Sequence, residues 1–102
     1  MTDEQFLQAV KQTVLSFDPG AEVWLFGSRA RGDARPDSDW DFLVLTDKPV
    51  DRRYEWSIQD ELNALELRTD WVLNAFVYNQ QNWSAREATD FYQNVAEDRQ
   101  VL

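Results

Sequence analysis

With 43% hydrophobic and 14% aromatic residues in 102, the chain has apolar material for one packed core and too little length for two, which excludes a disordered tail or linker. Ten Lys and Arg against nineteen Asp and Glu leave a formal charge of −9, so neither nucleic acid nor an anionic membrane is an expected partner, whereas a basic protein surface is. The lack of both Cys and His removes disulfides, thiolate nucleophiles, zinc-thiolate centres and the usual general base, and restricts catalysis to carboxylates, hydroxyls, Arg, Lys and backbone.

Met1 is followed by Asp3 and Glu4 instead of a basic leader, and no apolar run nears the ~20 residues of a membrane span. The expectation is a single cytoplasmic domain over residues 1–102. Thr2 and Gln5 form a capping box, and Phe6, Val10, Val14 and Phe17, with Leu7 beside them, recur at three-to-four spacing until Asp18-Pro19-Gly20. This predicts a helix over 3–17. Residues 22–26 and 40–45 are short β-branched and aromatic runs that read as buried strands, the second broken only by Asp41. Between them lies a loop with Gly27, Gly32, Pro36 and several Asp and Arg.

Tyr54, Ile58, Leu62 and then Leu65 follow a helical period and predict a helix over about 51–63, long enough for a crossover. Leu65-Glu66-Leu67 alternates as a strand does, Thr69-Asp70 reads as a turn, and Trp71 to Tyr78 reads as a further strand. Ser84 and Glu87 have the spacing of a capping box ahead of a last helix carrying Phe91, Tyr92 and Val95. The order predicts an α/β (α+β) fold, a small mixed sheet with helices packed on it.

The chemistry concentrates in Phe26-Gly27-Ser28-Arg29-Ala30-Arg31-Gly32 and Ser38-Asp39-Trp40-Asp41-Phe42. A Gly-Ser turn after a strand lets backbone N–H groups approach a phosphate and adds a hydroxyl. Arg29, Arg31 and Arg35 against Asp33 make residues 28–35 locally basic in an acidic chain, which implies an anion site. Asp39 and Asp41 lie two apart at the head of a strand, so their side chains share a face and repel unless a cation sits between them. Mg2+ is the natural cation, since it takes hard oxygen ligands from one or two carboxylates together with substrate phosphates, and a metal pair makes a histidine base unnecessary. Each feature has a plainer reading: the glycines as turn residues, Asp39 and Asp41 as an edge-strand face, Arg29 and Arg31 as partners of Asp33 and Asp37. The five Trp read as core and rim, with adenine stacking the alternative, and Asp60-Glu61 as a solvated helix face.

Phe26-Gly27-Ser28, ten residues, then Asp39-Trp40-Asp41-Phe42 resembles the signature of the DNA polymerase β-like nucleotidyltransferase superfamily. Gly-Ser-Arg-Ala-Arg-Gly and the short length resemble its minimal nucleotidyltransferases, often encoded beside a HEPN-domain protein. The resemblance implies a polymerase β-like core, Gly27 and Ser28 on the triphosphate with Arg29 and Arg31 beside them, and Asp39 and Asp41 on two Mg2+ ions. It also implies a third carboxylate on a neighbouring strand. Glu66, flanked by Leu65 and Leu67, fits that pattern best, with Asp70 its rival. The activity implied is Mg2+-dependent transfer of AMP from ATP to a hydroxyl, that of a Tyr or Ser on a HEPN-type toxin that the modification silences. The alternatives are a non-catalytic module that neutralises a basic partner and a small-molecule nucleotidyltransferase acting as an oligomer.

Overall fold

The computed structural model describes all residues, 1–102. In chain order they form α1 (Asp3–Phe17), β1 (Glu22–Phe26), α2 (Ser28–Arg31), β2 (Trp40–Thr46), α3 (Arg52–Thr69), β3 (Leu73–Asn79), α4 (Gln80–Ser84), α5 (Asp90–Asp98) and β4 (Gln100–Val101). The sheet order is β3-β2-β1-β4. β2 pairs antiparallel with β1 and parallel with β3, so the sheet is mixed, as the element order implied. The α/β expectation therefore holds, and α3 is the crossover between the parallel strands.

Helices cover both faces of β2, which explains its unbroken apolar run: every residue of the strand is buried except Asp41. Trp40, Phe42 and Val44 face α1 and α3, in one cluster with Phe6, Val10, Val14, Ile58, Leu62 and Leu65. Leu43 and Leu45 face the other way, onto Phe26, Trp83 and Val95. By alternation Asp41 belongs to this second face, at the end of the sheet. The larger cluster anchors the fold. Truncating the fully buried Phe6 to Ala would remove about 3–5 kcal/mol.

Three sequence expectations are corrected. Leu65-Glu66-Leu67 is no strand but the last part of α3, which runs to Thr69. In a strand Leu65 and Leu67 would share a face. Here Leu65 is 1% exposed and Leu67 78%, because Leu65 continues the helical stripe of Ile58 and Leu62. Trp71 likewise precedes β3, packing edge-on against Phe6 at 4.6 Å. Ser84 closes the short helix α4 around the buried Trp83. The Ser84–Glu87 capping box does not form, since Thr89 caps α5 instead, accepting from the Tyr92 N–H at 3.2 Å. Neither α4 nor β4 was anticipated; no helix is long and apolar enough to cross a membrane.

Candidate active site

β1 delivers the chain to the site through Gly27. Phe26 lies opposite Asp41 in the β1–β2 register, so Gly27 passes directly beside that carboxylate. It has φ +79°, and a Cβ there would collide with Asp41 Oδ2. Glycine is required twice over, by conformation and by space. Its carbonyl accepts from the Ala30 and Arg31 N–H groups, starting α2 at Ser28, and Gly32 at φ +82° ends it. The expected Gly-Ser turn is thus in place, opening a short helix at Ser28, and it abuts the aspartate pair.

Asp39 and Asp41 converge as their spacing predicts. Both accept from a single group, the side-chain amide of Asn74, whose Nδ2 lies 3.4 Å from Asp39 Oδ2 and 3.1 Å from Asp41 Oδ1. Asn74 stands opposite Asp41 in the parallel β2–β3 register. Asp39 is exposed and Asp41 half-buried, so the pair meets solvent and remains accessible to a ligand.

Arg29 and Arg31 have protein partners. The Arg29 guanidinium donates to the Ser38 carbonyl from Nε at 3.2 Å and Nη2 at 2.9 Å, and to the Pro36 carbonyl at 3.1 Å, while lying 4.4 Å over the Trp40 ring. It straps the segment that ends in Asp39 to the turn that begins at Gly27. Arg31 pairs with Asp33 at 3.2 Å and Asp98 at 2.8 Å, which raises its already high pKa. The expected Asp33 partnership is present, and Asp98 of α5 takes the second place in preference to Asp37. Arg35, by contrast, offers its guanidinium to no protein acceptor.

The third carboxylate does not join the pair. Glu66, on α3 and not on a strand, accepts the Leu73 N–H through Oε2 at 3.0 Å, so it caps the first amide of β3. Asp70 is the left-handed C-cap of α3, with φ 61°. Nowhere do three metal-capable side chains gather. The position that faces Asp41 belongs to Asn74, which sequence reasoning missed because an amide is not sought among metal ligands.

The sequence model described as nucleotidyltransferase domain matches residues 4–102. The chain belongs to that family. Among relatives, a protein of Methanocaldococcus jannaschii named as a protein adenylyltransferase is 36% identical over 81 residues, covering 79% of this chain and 76% of its own. The Haemophilus influenzae protein adenylyltransferase MntA is 38% identical over 45 residues, 44% of this chain and 40% of its own. Among solved structures, a toxin-antitoxin pair with AMP-PNP has TM-score 0.65 at 20% identity, over 98% of this chain and 72% of that one. A complex of a tri-AMPylated Shewanella oneidensis HEPN toxin with an MNT antitoxin has TM-score 0.64 at 17% identity, over 98% and 71%. At such identities the structural likeness establishes the shared fold.

Proposed function

We propose that this nucleotidyltransferase is a protein adenylyltransferase that moves AMP from ATP onto a hydroxyl of a HEPN-type partner. The observation that carries the reading is the meeting of the Gly27–Ser28 turn with the Asp39–Asp41 pair, two segments separated in sequence and joined by the β1–β2 register. The named adenylyltransferase relatives and the toxin-antitoxin neighbours supply the nucleotide and the class of acceptor.

Two carboxylates on one face, beside a turn whose Gly27 leaves no Cβ against Asp41, suit a divalent cation that carries triphosphate oxygens as its remaining ligands. Asp39 and Asp41 would hold Mg2+, which when bound offsets charge on the phosphates as the bond to the leaving group breaks. Ser28 and the backbone of the Gly27 turn orient the triphosphate, and Arg35, whose guanidinium has no protein partner, is a candidate cation in the following loop. The acceptor oxygen attacks the α-phosphorus, the bond to the β-phosphate oxygen breaks, pyrophosphate leaves and the hydroxyl proton passes to solvent or a partner base. Arg29 keeps Asp39 in register for this geometry. The net charge of −9 favours docking on a basic acceptor surface.

The test is incubation of the protein with its HEPN-type partner, Mg2+ and ATP labelled at the α- or the γ-phosphate. Transfer of α-label alone to a partner Tyr or Ser is expected. Incorporation of γ-label would make it a kinase, and no incorporation of either label would contradict the reading.

A further inference from the structure

Asn74 has the most unusual station in the site. It faces Asp41 across the β2–β3 register, and its side chain reaches both aspartates. A carboxylate there would make a three-acid cluster. The amide instead makes a two-acid site with a neutral hydrogen-bond donor between the acids.

We infer that Asn74 makes metal entry conditional on the nucleotide: by donating to both Asp39 and Asp41 and adding no charge, it keeps the pair converged but too weak a site for a bare divalent cation. The inference rests on the proposed metal role of that pair. A cation arriving alone must displace the Nδ2 contacts to both carboxylates and exchange tightly held waters for only two anionic ligands. Mg2+ gives up its waters reluctantly and is usually held by few carboxylates plus substrate phosphates. A cation already carried on a triphosphate brings those phosphate ligands with it, and the neighbouring Gly27 turn receives them. The number of charged ligands is a principal determinant of divalent-cation affinity. Asn74 is thus a positioning residue that couples metal and substrate binding in one event and leaves the protein unloaded when only free metal is present.

The experiment titrates wild type and Asn74→Asp with Mn2+ alone, then with Mn2+ and AMP-PNP together, following heat of binding and thermal unfolding. Asn74 is exposed and Asp is its near-isostere, so the fold should tolerate the change. The expected result is that Asn74→Asp binds Mn2+ alone at least about tenfold more tightly than wild type, with a Mn2+-dependent rise in Tm that wild type lacks, while both proteins bind the metal–nucleotide pair. If the added repulsion unfolds the variant, refolding by Mn2+ alone reports the same gain, and failure of Mn2+ to restore it overturns the inference. Equal affinity of both proteins for Mn2+ alone, with the nucleotide complex still bound and lost in Asp41→Asn, overturns the inference and leaves the metal reading standing. Failure of wild type to bind the metal–nucleotide pair at all overturns both.

Discussion

Aspartates stand in opposite circumstances beside the two ends of β2: Asp18, the C-cap of α1, reaches Thr46, and Asp39 and Asp41 lie at the Trp40 end. At the Thr46 end, Asp18 is 1% exposed and surrounded by donors: Thr46 Oγ1 at 2.6 Å, Tyr54 Oη at 2.8 Å, the Gly20 N–H at 3.1 Å and Lys48 Nζ at 3.4 Å. Burial alone would raise its pKa, but these donors together outweigh it and hold the carboxyl below its usual range. At the Trp40 end, Asp39 and Asp41 face solvent with one shared amide between them. A satisfied buried acid closes the structure, whereas an open pair of like charges leaves work for a ligand. The same residue type, beside the two ends of one strand, serves the fold in one case and, in the proposed function, chemistry in the other.

The largest effect separating the ends is on transfer. Asp41→Asn should lower AMP transfer by about three orders of magnitude or more, because it removes one of the two carboxylates proposed to hold the Mg2+ that neutralises the reacting phosphates. Full activity in that variant would break the comparison at once. Asp18→Ala should do the reverse: it strands the buried Thr46 and Tyr54 hydroxyls, lowering stability by about 3 kcal/mol and Tm by about 15 °C. The nucleotide affinity of the folded fraction should not change.

The Asp18 end also has a pH signature. Its folded pKa lies below the ordinary 3.8, so its contribution is fully present above about pH 4 and is lost as pH falls through the folded value. Tyr54 behaves oppositely: burial, helped by the Asp18 hydrogen bond, pushes it from 10.0 to about 12. Its contribution is complete below pH 10 and disappears as pH rises through about 12. Unfolding measured against pH should lose its acid limb in Asp18→Ala and its alkaline limb in Tyr54→Phe.

Smaller effects sharpen the picture of the open end. Arg29→Ala releases the Pro36 and Ser38 carbonyls and should weaken binding of Mg2+ with ATP by about tenfold, at a stability loss of about 1 kcal/mol. Lys should not restore it, having no planar fork with which to reach both carbonyls. Glu66→Gln should keep transfer within about twofold, since the new amide oxygen can still accept from the Leu73 N–H; a large loss would return Glu66 to the chemistry.

What the sequence made legible was local. The 3–17 helix follows from one apolar stripe and a capping box, and the Gly27–Ser28 turn and the Asp39–Asp41 pair from spacing within sixteen residues. What it concealed was relational. Whether Leu65-Glu66-Leu67 is strand or helix depends on whether Leu67 has anything to pack against, and nothing local says it does not. The meeting of Asn74 with Asp41 is a matter of register between strands joined through an 18-residue helix. Arg29 and Arg31 carry charge that suits a phosphate equally well, and only the fold brings the Ser38 carbonyl and Asp98 to them. The helix α4 has five residues, too short for periodicity, and its signal was the Asn79 side chain capping the Gln81 and Asn82 N–H groups.

The most direct test of the contrast between the two ends is thermal unfolding of Asp41→Asn with and without Mg2+ and ATP. Relief of the like-charge repulsion should leave the ligand-free protein as stable as wild type or slightly more so, and the stabilisation that Mg2+ with ATP gives wild type should vanish. A ligand-free protein clearly less stable than wild type, with the Mg2+ and ATP stabilisation intact, would make Asp41 a structural acid like Asp18 and contradict the account.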